Sequence, residues 1–280
     1  MAAPAAPRPP QAPRRRPRGA PPPPPRPRYR RPEILPRPEP PATGHEALEL
    51  APHIPWRQFL REVPFAQGDH ITLIGRTKSG KTTLAVGGLL PLPSIGRFVV
   101  VAGTKSRDPM YDALLAKGYK FNNTGRLDYR RAPHVIVRPE LDSLADRRGQ
   151  QEVFRRMLDQ VFREGNWTLY LDEVRYLSDT LRLQGDLETL WLQGRTLGVT
   201  MVASTQEPVS VPRVAFSQIE HLFVFRLTDR ERITRAAELA GSMTDEVREI
   251  IPRLSQHEAL YVAPQADLLL RTRYPRALST

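Results

Sequence analysis

Gly75-Arg76-Thr77-Lys78-Ser79-Gly80-Lys81-Thr82 constrains this chain more than any other stretch, because it spells a GxxxxGK[ST] phosphate-binding loop. His70-Ile71-Thr72-Leu73-Ile74 in front reads as a short buried strand, and Thr82-Thr83-Leu84-Ala85-Val86 behind reads as the first turns of a helix. Gly75 and Gly80 let the backbone curl so that successive amide N–H groups face one anion. The start of the helix adds unsatisfied amides and the positive end of its dipole. Lys81 is expected to reach the β- and γ-phosphates, and the Thr82 hydroxyl to ligate Mg²⁺. Gly75, Arg76, Thr77, Lys78, Ser79, Gly80, Lys81, Thr82 and Thr83 are therefore the expected nucleotide-binding residues.

A second stretch supplies the acids that such a loop needs. Trp167-Thr168-Leu169-Tyr170-Leu171-Asp172-Glu173 is an apolar strand ending in paired carboxylates, the Walker B arrangement. Asp172 is expected to hold the Mg²⁺ shell, and Glu173 to orient and polarise the attacking water. Val199-Thr200-Met201-Val202-Ala203-Ser204-Thr205-Gln206 reads as a strand with a polar tip. Beside the phosphate-loop strand, Gln206 is placed to read the γ-phosphate. About 90 residues and at least two strands separate Lys81 from Asp172, which favours the division of these folds with an added strand and an acid as water activator. The guanine-recognising [NT]KxD signal is absent; Thr104-Lys105-Ser106-Arg107 comes near it without the Asp, so ATP is expected rather than GTP.

The remaining pattern alternates. Arg97–Gly103 and residues 134–138 read as strands, residues 109–118 as a helix, and Val153, Phe154, Met157, Leu158, Val161 and Phe162 as a helical stripe stopped by Gly165. Residues 186–197 give another helix, residues 220–227 a strand, and Asp229 the cap of a helix closed by Gly241. Residues 244–251 form a short helix, and residues 257–262 with 267–272 a closing hairpin. The expected fold is α/β, a mostly parallel sheet flanked by helices, with ligands bound at the strand C-termini. Trp56, Phe59, Leu60, Val63 and Phe65 suggest a helix or turn on the domain edge. For Trp56 and Phe65 core packing is favoured over stacking on adenine.

Composition sets the boundaries. Residues 1–41 hold 17 prolines, and ten arginines against Glu33 and Glu39, hence +8 of the chain's +12. Such a segment cannot bury a core, so residues 1–45 are expected to be a disordered basic tail and residues 46–280 the ATPase domain. The tail suits a polyanion, nucleic acid above all; a polyproline ligand for a partner's groove and a plain solvated linker stay open. Absence of cysteine excludes disulfides, a zinc ribbon and thiol catalysis. The six histidines show no metal-ligand spacing. No apolar run reaches the 18 or so residues of a membrane span, and the N-terminus lacks a signal peptide's apolar segment, so a cytoplasmic protein is expected.

Leu192-Gln193-Gly194-Arg195-Thr196-Leu197-Gly198-Val199, then Ala203-Ser204-Thr205-Gln206-Glu207-Pro208 and Val211-Pro212, resemble the FtsK–HerA superfamily of DNA-pumping ATPases. Val224-Phe225-Arg226-Leu227-Thr228-Asp229 looks like that family's next strand, and the resemblance covers about residues 68–265. One departure is visible: the strand after the loop helix usually ends in an Asp-x-Lys-like group, and Gly103-Thr104-Lys105 keeps only the lysine. The resemblance implies a RecA-like domain in a homo-oligomeric ring, commonly a hexamer, with ATP between subunits and an arginine finger from the neighbour. Arg195 and Arg230 rank first for that finger, ahead of Arg226 and Arg232. The implied activity is ATP hydrolysis driving DNA translocation, as in viral or phage genome packaging or mobile-element transfer, with capsid or portal proteins as partners. An ATPase acting on protein partners in virion assembly or secretion, and a non-hydrolysing nucleotide-dependent scaffold, remain the alternatives.

Overall fold

Nearly every strand forms where an apolar run is short, rich in β-branched residues and bounded by turn residues. In chain order they are β1 (Ile71–Ile74), β2 (Val99–Ala102), β3 (Lys120–Asn122), β4 (His134–Val137), β5 (Thr168–Leu171), β6 (Thr200–Thr205), β7 (His221–Phe225), β8 (Ala259–Ala263) and β9 (Leu268–Thr272). The computed structural model describes residues 46–140, 146–210, 214 and 217–275, all within one compact unit, Ala42–Thr280. The tail at residues 1–45 and the Val211-Pro212 pair lie outside the described residues.

The strands form one sheet in the order β3-β4-β2-β5-β6-β1-β7-β8-β9. β1 to β7 are parallel, and β8 and β9 add the expected hairpin antiparallel to β7. β6 lies between β1 and β5, pairing Ile74 with Thr205 on one side and Leu171 with Ala203 on the other. β6 thus stands beside the phosphate-loop strand, the position expected for residues 199–206.

Eight helices accompany the sheet among the described residues: α1 (Glu46–Glu49), α2 (Trp56–Glu62), α3 (Lys81–Thr83), α4 (Pro109–Leu115), α5 (Arg147–Glu164), α6 (Gln184–Gln193), α7 (Arg230–Glu238) and α8 (Thr244–Ile250). α3 runs on as π-helical turns over Leu84–Leu89. Alternate strand residues face opposite sides, so two cores form. Val100, Leu169, Leu171 and Met201 pack with Phe154 and Leu158 of α5 and Trp191 of α6. Leu73, Val101, Tyr170 and Phe223 pack on the other side with Phe59 of α2, Leu84 and Leu89, and Leu114 of α4. Asp229 caps α7 as expected, accepting from the Arg232 amide at 2.9 Å, and Asp108 caps α4, accepting from the Met110 amide at 2.9 Å.

Three local features differ from expectation. β3 is a three-residue edge strand with Lys120 and Phe121 exposed, too short and polar to show as an apolar run. A helical turn at Tyr176–Thr180 follows the acids. The helix expected over 109–118 ends at Leu115, and Gly118 takes a left-handed conformation in the following turn. Trp56 stacks on Phe59 at 5.1 Å and Phe65 lies 4.3 Å from the His221 ring, so both aromatics are core residues.

Candidate active site

The phosphate loop leaves β1 at Gly75, whose amide donates to the Thr205 carbonyl at 3.2 Å and so continues the β1–β6 ladder. A Cβ here would stand 2.7 Å from Ser79 Oγ and 2.8 Å from Phe225 Cβ, so only glycine fits. Gly80 turns the loop into α3 at φ +113°. The Ser79 hydroxyl is buried without a hydrogen-bond partner inside this cradle. From outside, the His257 ring nitrogen Nδ1 meets the Ser79 carbonyl at 3.1 Å.

Lys81 is buried and turned back into the loop, donating to the carbonyls of Gly75 at 2.5 Å and Arg76 at 3.0 Å. Burial pulls its ammonium down to about 8, against the opposing attraction of Glu173 and Asp172. Lys81 thus feels the charge of both acids although they lie far from it in the chain.

Asp172, buried at the tip of β5, uses both carboxylate oxygens. Oδ1 accepts from the Tyr170 hydroxyl at 3.0 Å and lies 3.4 Å from the Thr82 hydroxyl. Oδ2 accepts from the Lys105 ammonium at 2.6 Å. Lys105 reaches there from the end of β2 and also pairs with Asp108 at 2.7 Å. Burial alone would lower the Lys105 pKa, but its bonds to Asp108 and Asp172 raise it above the ordinary lysine value. Burial also pushes the Tyr170 hydroxyl well up, so it stays a neutral donor.

A carboxylate and a hydroxyl this close form the hard-oxygen set that suits Mg²⁺. Among the described residues no cluster of three or more His, Cys, Asp or Glu could hold a metal alone. Thr82 and Asp172 would therefore hold such an ion only together with ligands from outside the chain.

Glu173 is half-buried and accepts from the Thr205 hydroxyl at 3.3 Å. Burial raises its pKa, offset by the Thr205 bond and by Lys81. Gln206 accepts from the Thr77 hydroxyl at 2.7 Å, which ties the tip of β6 to the loop apex. Arg76, Lys78, Gln206, Arg226 and Arg232 line a cleft of about 720 Å³ over that apex. A second cleft, of about 450 Å³, runs from Gly80, Thr82 and the exposed Thr83 toward Phe225, Gln256 and Tyr274.

The arginines divide. Arg195 lies at the opposite end of the sheet, where it pairs with Glu220 at 2.9 Å, and Glu220 in turn accepts from the His70 amide that precedes β1. The structure does not bring Arg195 to the loop of its own subunit. Arg230 opens α7 and lines a groove with Arg175 and Glu207. Arg232 is held by Glu207. Lys105, the Tyr170 hydroxyl and Thr205 join the acids without any expectation from the sequence that they would. Lys105 had a usable signal, since it follows a parallel strand on the same edge as Asp172.

No protein-family model and no curated protein matches the chain. Solved structures do. B204, the DNA-packaging ATPase of Sulfolobus Turreted Icosahedral Virus, aligns with a TM-score of 0.56 at 14% identity, over 75% of this chain and 99% of that one. The genome packaging NTPase B204 of Sulfolobus turreted icosahedral virus 2, in complex with AMPPCP, gives 0.55 at 16% identity over 75% and 100%. VirB4 of Thermoanaerobacter pseudethanolicus gives 0.54 at 12% identity over 75% and 90%. At these identities the likeness is one of fold. The shared fold is the α/β one expected from the sequence, a mostly parallel sheet flanked by helices with a phosphate-binding loop after one strand.

Proposed function

We propose that this chain is an ATP-hydrolysing motor that translocates DNA, in viral or phage genome packaging or in mobile-element transfer. The observation that carries the reading is the meeting of Thr82 with Asp172 at 3.4 Å, beside a buried Lys81 that feels both Asp172 and Glu173. Lys81 exchanges its loop carbonyls for phosphate oxygens, while the loop amides and Thr83 hold the remaining phosphates. Thr82 and Asp172 would hold the Mg²⁺, which would supply charge neutralisation to the phosphates. Glu173 accepts a proton from the attacking water, and Gln206, steadied by Thr77, donates to the γ-phosphate.

Turnover in this reading needs a second copy, as in a hexameric ring, to supply the arginine, with Arg195 and Arg230 as the two candidates. Residues 46–280 form the motor domain and the basic segment 1–45 an arm for DNA, with capsid or portal proteins as docking partners and the cytoplasm as its place of work. None of the described helices is long and apolar enough to cross a membrane. The packaging ATPases of similar fold support DNA as the substrate polymer. The test is ATP turnover by the full chain with and without double- and single-stranded DNA. Stimulation by DNA is expected, together with its loss in Lys81→Ala. Turnover indifferent to DNA but raised by virion or secretion proteins would move the work to protein partners, and tight ATP binding without turnover would make the chain a scaffold.

A further inference from the structure

We propose that Lys105 is a displaceable counter-ion of Asp172, a positioning residue that competes with the divalent cation for the Walker B carboxylate and sets how much cation the site requires. The inference rests on the nucleotide reading of the loop. Its evidence is the geometry at one carboxylate. Asp172 Oδ1 faces two hydroxyls, from Tyr170 and Thr82, whereas Oδ2 faces the Lys105 ammonium at 2.6 Å. A cation shared by Thr82 and Asp172 and the Lys105 ammonium therefore draw on the same negative charge.

Lys105 is built to yield. Its side chain is 50% exposed, so withdrawing it opens no buried hole. Its backbone is pinned: the Tyr111 hydroxyl accepts from the Lys105 amide at 3.2 Å and donates to the Lys105 carbonyl at 3.0 Å. Only the side chain has to swing. Its second anchor is Asp108, which already accepts at 2.7 Å and which caps α4 with its other oxygen. When a cation takes Asp172, the ammonium keeps Asp108 and its charge stays compensated.

The test uses the full chain with a non-hydrolysable ATP analogue, titrated with Mn²⁺ and read by the electron spin resonance of free Mn²⁺. Lys105→Met is expected to lower the half-saturating Mn²⁺ concentration about tenfold, roughly 1.4 kcal/mol. Lys105→Arg keeps the charge and should stay within about threefold of the parent. Asp108→Asn retains the helix cap but frees Lys105 to sit on Asp172 alone, so the Mn²⁺ requirement should rise about threefold. In the Lys105→Met background Asp108→Asn should change nothing, because its effect runs through the lysine.

Analogue binding is followed separately by fluorescence of a labelled nucleotide. An Mn²⁺ curve unmoved or weakened by Lys105→Met, or an Asp108 effect that simply adds in the double variant, overturns the counter-ion while leaving the nucleotide site intact. Failure of the parent protein to bind the analogue overturns both.

Discussion

Thr82 and Asp172 stand 90 positions apart in the chain, yet the threonine hydroxyl lies 3.4 Å from the aspartate oxygen. The contact exists because α3 leaves β1 and the acid ends β5, two parallel strands with β6 between them. Removing the Asp172 charge should therefore uncouple cation use from nucleotide binding. Asp172→Asn is expected to cut turnover about 100-fold or more and to abolish the Mg²⁺ optimum, while nucleotide binding measured without metal stays near the parent value. Equal turnover in both proteins would remove Asp172 from the site.

If Lys81 holds phosphate as proposed, burial that pulls its ammonium down to about 8 should give nucleotide binding a pH dependence. In the free protein the lysine loses its charge as pH rises through that value, and bound phosphate restores it. Affinity should fall above about pH 8, approaching tenfold per unit. Calorimetry from pH 7 to 9.5 is expected to show this slope in the parent, and weak, flat binding in Lys81→Ala.

In the proposed mechanism Glu173 has to be ionised to take a proton from water, and burial raises its pKa. Turnover at saturating ATP should rise with pH along an acid limb lying above the ordinary carboxylate range. Glu173→Gln is expected to bind ATP normally and to lose at least about 100-fold in turnover. A normal rate in that variant would free the residue from any chemical role.

His70 is a stability group at the far end of β1. Its Nδ1 accepts from the Met201 amide at 3.3 Å and its Nε2 faces the Trp191 carbonyl at 3.1 Å, so one nitrogen must be bare. Burial lowers its pKa from 6.5 to about 4. The unfolded chain then binds the proton more readily between those values. Stability from His70 is complete above about pH 6.5 and is lost as pH falls toward 4, by about 3 kcal/mol at most. Urea unfolding at pH 7 and pH 4.5 should show a smaller pH-dependent loss in His70→Gln than in the parent.

Much of this architecture is local in origin and so was legible in the residues. Val99–Ala102, Thr168–Leu171 and Thr200–Thr205 are apolar runs that demand burial on both faces, and the loop at Gly75–Thr82 carries its own backbone geometry. Placing Gln206 beside the loop followed from strand adjacency, and β6 does pair with β1. What stayed hidden depends on which strands lie side by side. Lys105 touches Asp172 only because β2 neighbours β5. Arg195 follows a helix that returns to the N-terminal end of the sheet, a direction that no residue near it announces. β3 is held by its pairing with β4 rather than by its own propensity.

Thr205 gives β6 a mechanical meaning. Its carbonyl takes the first amide of the phosphate loop, its hydroxyl reaches Glu173, and the next residue clasps Thr77. The strand thus behaves as a ruler whose last graduation must fall between two machine parts. Adding or deleting one residue would reverse every side chain beyond that point and aim Thr205 at the wrong layer. Exchanges of one apolar residue for another along β6 should be absorbed, whereas a change in its length should abolish the proposed turnover without unfolding the chain.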